Sequence, residues 1–374
     1  MGNTIPAIVL PWVRIHGRWN MHMADALLSP AVGGALWAAS SGAIAHCSAK
    51  VRKELDDRKV PLMGVLGAFL FAAQMINFSI PGTGSSGHLG GGLLLTILLG
   101  PHAAFLTIAS VLVVQALFFA DGGLLALGCN IFNLGFFPAF VAYPYVYRKI
   151  AGERPGRARI TVAAIAAAVV GLQLGAFAVV LETVSSGIAS LPFSTSVVLM
   201  QPIHLAIGIV EGVVTAAVVT FVHNARPEIL QGVAEARPVA GPPLRNVLVA
   251  FLAAAALTGG VVSWFASGAP DGLEWSIAKT TGTGEVTGPG KGIHGMLAAL
   301  QEKIAFLPGY SLRKPAEAKS DGHGAEGGAK PAGGAGKEEG GKPGTSVSGI
   351  VGGLITLALV FLAGFLLKRR SQAA

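Results

Sequence analysis

Charged side chains are scarce in this sequence: they make up 12% of its 374 residues, where a soluble domain carries about 25%. A chain so poor in charge cannot present most of its surface to water. Cysteine is rarer still. Cys47 and Cys129 each sit inside an apolar run, so there is neither a CxxC pair nor a disulfide framework, and both read as small buried hydrophobes. No G-x-x-x-x-G-K-[ST] occurs, because the GK dipeptides are followed by Gly, Glu and Pro; this excludes a phosphate-cradling loop and an ATPase within the chain. Neither a nucleophile elbow nor an H-E-x-x-H is found, which leaves a membrane enzyme without support. Residues 1–20 lack a long apolar core followed by a small-residue cleavage site, so they make a poor signal peptide.

What the chain has is apolar length. Hydrophobic residues reach 52% and the mean hydropathy is +0.63. A spanning helix needs about 17–25 predominantly apolar residues. Such runs cover 30–49, 60–80, 102–120, 124–146, 160–182 and 199–223, with a shorter one at 87–100, and two more cover 247–266 and 347–367. Ser29-Pro30 supplies an N-cap and a first-turn proline for the first helix, and Gly100-Pro101 breaks the chain between the short run and the next. The expected fold is an all-α integral membrane protein, a seven-helix bundle over 21–225 followed by a two-helix module over 246–374. Residues 226–245 join the two, and the Gly-, Ala-, Lys- and Glu-rich stretch 277–345 is expected to be a flexible loop between the last two spans.

The net charge of +8 is distributed as the positive-inside rule requires, not as a nucleic-acid footprint. The loops 50–59, 147–159 and 224–245 are basic, whereas 79–90 and 183–198 contain no Lys or Arg. The basic loops are therefore assigned to the cytoplasm, and the start of the first helix, the Gly- and Ser-rich loop 79–92 and the stretch 277–345 to the outside. Non-helical backbone at membrane depth is tolerated only inside protein or along a cavity, so the uncharged 79–92 loop is itself a pointer to a site.

Two of nine histidines stand out by position: His22, just before the first helix, and His88, in the polar loop. Imidazole is a favoured ligand for nickel, cobalt and zinc. If translation starts at Met21, its free amine, the next amide nitrogen and the His22 imidazole form fused chelate rings with three nitrogens in a plane. His88 can add the fourth, and a planar nitrogen set suits nickel(II); the plainer alternative is a pair of ordinary loop histidines. Residues 1–20 are accordingly read as an extension from an upstream start codon, absent from the working protein.

Gln74, Asn77, Asn130 and Asn133 lie on or near spans around the polar loop; they serve either to bond the free nitrogen of His88 or its loop, or to bond helix to helix. His204 and Glu211, seven apart, share a helix face, and with Glu182 are read as structural polar contacts. His46, His102 and His223 sit at span ends, and His294 and His323 fall in the flexible outer segment, where a solvated linker is the ordinary reading. Ala31, Ala35, Ala39 and Ala43 place a small residue at every fourth position of the first helix, a contact face turned either inward or toward a partner.

Three stretches, MHMADALLSP at 21–30, SGHLGGGLLLTILLGPHAA at 86–104 and DGGLLALGCNIFNLG at 121–135, resemble the CbiM/NikM-type substrate-binding components of energy-coupling-factor transporters. The resemblance covers about 21–225. It implies a metal site built from Met21, His22 and His88, with the N-terminal tip inserted into the bundle and held by polar neighbours. It departs from the family at Ala24 and Ala26, where Pro and Gly are expected beside Asp25. Residues 270–275, PDGLEW, are similar to the PDGLE-type accessory domain, which accompanies nickel systems more than cobalt ones. The resemblance therefore implies a nickel(II) importer subunit in a bacterial or archaeal cell (inner) membrane. The metal is its substrate and no resident cofactor is expected. Its partners would be a transmembrane coupling protein and two ABC-type ATPase subunits, with no nucleic acid. Cobalt(II) uptake for cobalamin synthesis is the alternative. A channel or secondary transporter acting alone is a further one, although no internal repeat supports it.

Overall fold

A computed structural model describes residues 21–54, 58–153, 155–188, 192–235, 237, 244–282, 290–312 and 342–372. The extension at 1–20 and His323 lie outside the described residues.

Helix α1 (Pro30–Glu54) starts where Ser29 Oγ accepts the Val32 N–H at 3.3 Å. Helix α2 (Lys59–Gln74) leads into an antiparallel hairpin, β1 (Phe78–Ile80) and β2 (Ser85–Gly87), with Ser79 opposite Ser86. Helix α3 (Gly92–Leu99) is buried on every side. It begins after Gly91, whose φ of +73° and whose contact with Leu70 leave no room for a Cβ. At 1.5 Å per residue α3 is about 12 Å long, far short of a bilayer core. Pro101 opens α4 (Pro101–Phe119). The next rod is continuous but changes winding: α5 (Leu127–Ile131), a π-helical stretch (Phe132–Tyr147) and α6 (Arg148–Ala151). Pro138 and Pro144 sit inside the π-helical part, where each lacks the N–H that an α-helix would use. Helices α7 (Arg157–Ser186) and α8 (Phe193–Ala225) pack side by side, with Gly208 and Gly212 of α8 against the backbone of Val169 and Ile165.

The second module contains α10 (Arg245–Gly260), α11 (Gly272–Thr281), α12 (Ile293–Ile304) and α13 (Lys342–Gln372), preceded by the short α9 (Pro227–Ala234) within the expected linker. Helices α10 and α13 pack on α2. Phe361 fills the space over Gly64, and Gly259 meets Gly349 backbone to backbone.

Among the described residues five helices are long and apolar enough to cross a membrane: Pro101–Phe119, Arg157–Ser186, Phe193–Ala225, Arg245–Phe265 and Gly344–Arg369. The expected seven-plus-two division is finer than this. Helix α1 is diluted by Ala, Gly and Ser, α2 has only 16 residues, α3 has eight, and the rod from Leu127 is divided by its change of winding.

Within 277–345, the described residues 277–282 and 290–312 are not the flexible loop expected of the composition. Residues up to Thr281 belong to α11, and α12 docks on the first module. His294 is not solvated. It is 8% exposed, and its Nε2 lies 2.8 Å from the Leu28 carbonyl. The inward face of α12 carries His294, Leu297 and Gln301, so two of its anchors are polar and escape an apolar-periodicity reading.

Candidate metal centre

The tip 21–29 lies against the turn and helix start at 121–130. Asp121 Oδ1 accepts the Met21 N–H at 2.7 Å. The Asn130 side chain meets Met23 on both sides, accepting from its N–H at 3.2 Å and donating to its carbonyl at 3.3 Å. Gly123 N–H also donates to the Met23 carbonyl, at 3.0 Å, and Asp25 Oδ1 accepts from Ala126 N–H at 2.8 Å. Met23, Leu27 and Leu28 are buried against Leu125, Ala126 and Cys129. Backbone polarity of the tip is thus satisfied by a neighbouring loop, beside the 3-10 turn at Asp25–Leu27.

These ties bring Met21, His22 and His88 together. The rings of His22 and His88 stand 5.2 Å apart, nearly perpendicular at 85°. His88 Nε2 lies 2.8 Å from the Met21 carbonyl oxygen, and its Nδ1 lies 3.2 Å from the Leu89 carbonyl. A neutral imidazole has one N–H, so it can donate to only one of these two carbonyls.

The tautomer of His22 follows from a chain of amides. Gly90 carbonyl can only accept, and it accepts from Gln74 Nε2 at 3.0 Å. Gln74 Oε1 therefore faces Gln115, whose Nε2 donates to it at 3.0 Å. Gln115 Oε1 is left facing His22 Nε2 at 3.0 Å, so that nitrogen carries the proton and Nδ1 keeps its lone pair. Burial pushes the His22 pKa below its ordinary value, which favours the neutral, metal-binding form.

A cavity of about 100 Å³ adjoins this cluster, lined among others by His88, Asn133, His204, Glu211 and Asp271. Glu211 accepts the N–H groups of Gly90 at 2.7 Å and Gly91 at 3.2 Å, so it holds the turn behind His88. His204 Nδ1 lies 2.8 Å from the Met200 carbonyl of its own helix. Among the described residues no three His, Cys, Asp or Glu side chains cluster as a metal site.

The four amides expected around the loop divide. Gln74 reaches the His88 loop directly. Asn130 instead binds Met23, and Asn133 donates to Glu182 at 3.0 Å while facing the cavity. Asn77 does not line the pocket, and its backbone carbonyl accepts from Ser267 N–H at 2.7 Å. Gln115 and Asp121 are the polar residues the sequence reading passed over. A lone glutamine in the apolar run 102–120 is a signal that could have found the first.

These features define a multi-pass membrane protein with a nitrogen-rich pocket at one end of its bundle. Residues 22–229 match the family described as the cobalt uptake substrate-specific transmembrane region, CbiM, and residues 245–369 match the PDGLE domain. The chain belongs to the CbiM family of nickel and cobalt transport proteins and carries a PDGLE domain behind it. Over 212 residues it is 37% identical to a metal transport protein of Haloquadratum walsbyi, covering 56% of this chain and 93% of that one. It is likewise 37% identical over 211 residues to a fused nickel transport protein, NikMN, of Archaeoglobus fulgidus, covering 56% of this chain and 68% of the relative. A solved structure of a truncated transition metal transporter aligns at 32% identity over 55% of this chain and 99% of that one, with a TM-score of 0.49.

Proposed function

We propose that this chain is the substrate-binding membrane component of an ATP-driven energy-coupling-factor importer, and that its substrate is nickel(II). The observation that carries the reading is the paired preparation of two imidazoles. His22 keeps Nδ1 free because Gln115 Oε1 accepts from its Nε2–H, and His88 turns Nε2 toward the Met21–His22 peptide. Translation from Met21 makes its nitrogen an amine. Amine, His22 amide, His22 Nδ1 and His88 then offer four nitrogens, the set that suits planar nickel(II). The PDGLE domain and the fused nickel relative support nickel; the cobalt named in the family description supports cobalt(II) as the second reading.

The chain works with a transmembrane coupling protein and two ABC-type ATPase subunits in the bacterial or archaeal cell (inner) membrane, its basic loops inside and its tip outside. The small-residue face of α1 supports a helical partner: Ala31, Ala35 and Ala39 are exposed, and a Cβ at Gly34 or Gly42 meets nothing within 4 Å.

N-terminal sequencing of the purified protein, followed by calorimetry with nickel(II) and cobalt(II), tests the reading. A mature chain starting at Met21 that binds nickel more tightly, and loses that binding in His22→Ala and His88→Ala, is the expected result. Tight nickel binding by a chain starting at Met1 overturns it.

A further inference from the structure

Asp121 is 2% exposed and holds two groups from opposite ends of the chain. Its Oδ1 accepts from Met21 N–H at 2.7 Å, and its Oδ2 accepts from the Tyr310 hydroxyl at 2.6 Å. We propose that Tyr310, in the PDGLE module, is a positioning residue for metal capture: it fixes the Asp121 carboxylate so that the other oxygen holds the Met21 nitrogen in register with His22 and His88. The inference rests on the metal centre proposed above.

The contact does not stand alone. Gln301 Nε2 donates to the Ala116 carbonyl at 2.9 Å and the Gly122 carbonyl at 2.7 Å, spanning the turn that presents Asp121. His294 meets the Leu28 carbonyl at the other end of the tip. One segment, 293–310, therefore grips the tip's own strand of chain and the loop that holds it.

The backbone is held in uncommon conformations to make this fit. Tyr310 has φ +58° and Ala120 has φ +50°, both in the left-handed region that side chains rarely adopt. Their positions are over-determined by packing. The Tyr310 ring stacks on Phe119 at 5.0 Å and 20°, and it lies 6.2 Å from Phe71. That stack needs only the ring, so the hydroxyl's contribution is separable from it.

A hydroxyl on Oδ2 has a consequence at the metal. His22 Nε2 is 3.9 Å from Oδ2 and 3.0 Å from Gln115 Oε1. Without the tyrosine donor, Oδ2 is free to turn and draw the His22 proton from Gln115, swinging the imidazole and loosening Oδ1 from Met21. An amine bound to metal through its lone pair still has N–H groups to donate, so the Asp121 contact and metal ligation are compatible.

The test uses the purified full-length chain, with nickel(II) as probe and a colorimetric chelator to trap released metal. Tyr310→Phe is expected to bind nickel but release it about tenfold faster, the scale of one lost hydrogen bond to a buried carboxylate. The visible absorption of bound nickel is expected to shift, while the metal-free chain stays folded and its melting temperature falls by no more than the few degrees that one lost hydrogen bond costs. In a double-mutant cycle, Tyr310→Phe added to Asp121→Asn is expected to cause no further acceleration. Wild-type release and absorption in Tyr310→Phe overturn the proposal, as does full additivity in the cycle. His88→Ala separates the two readings. If it has lost nickel while Tyr310→Phe behaves as wild type, the positioning role fails and the centre stands. If it retains nickel as wild type does, the centre itself fails.

Discussion

Gln115 donates to Gln74 Oε1 at 3.0 Å, and that bond turns its own carbonyl oxygen toward His22. The direction of the relay is set at its far end, by a backbone carbonyl that can only accept. Replacing Gln115 by Leu leaves His22 Nε2–H buried without an acceptor and lets the ring adopt the other tautomer. Nickel affinity is expected to fall by about 10–100-fold, the usual effect of removing a partner of a ligand histidine. Competition against a chelator of known affinity measures it. Unchanged affinity would show that His22 does not depend on this tautomer.

The Met21 nitrogen provides a second test. Two versions of the chain are made, one starting at Met21 and one starting at Met1 with Met21→Leu to remove the internal start. Mass spectrometry verifies each N-terminus. The first is expected to bind nickel stoichiometrically. In the second an amide replaces the amine and removes one of four nitrogens, and binding is expected to weaken by at least about a hundredfold, the loss of one ligand at about 3 kcal/mol or more. Equal affinities would rule out the amine as a ligand.

The residues of the proposed centre, which the structure brings together, stood out in the sequence because each lies in a local stretch. His22 and His88 stand in short distinctive stretches, and Ser29-Pro30 marks the helix start that fixes the tip's length. The partners that orient them were not legible, because they come from far along the chain. Gln115 is 93 residues from His22, and Tyr310 is 189 from Asp121. Composition also misled at α12. Gly- and Lys-rich sequence surrounds it, and its docked face is part polar, so nothing apolar announced that His294 is buried.

Glu211 gives a stability prediction. It accepts from two consecutive N–H groups, Gly90 and Gly91, at the point where Gly91 takes φ +73° to start α3. Glu211→Ala leaves both donors unpaired in the bundle interior, at about 1–3 kcal/mol each. A lower melting temperature of the metal-free protein is expected, together with weaker nickel binding because His88 loses its backing. Glu211→Gln keeps an acceptor for one donor and should fall between. An alanine variant that melts as wild type does would show that the turn is held without the carboxylate.

The exposed face of α1 predicts a separation of binding from transport. Ala35 and Ala39 are exposed, and a Cβ added at Gly34 or Gly42 would meet no neighbouring element within 4 Å among the described residues. In a membrane, close helix approach relies on such small residues, because lipid offers no hydrophobic drive to association. Ala39→Phe should therefore fold and bind nickel as the wild type does, since it crowds nothing within the chain. Cells carrying the coupling protein and ATPases are expected to lose most nickel accumulation with this variant, measured with radioactive nickel, and the purified components should no longer co-elute. Full uptake by Ala39→Phe would place the partner on another face, while loss of nickel binding in the isolated chain would mean that α1 packs inward after all.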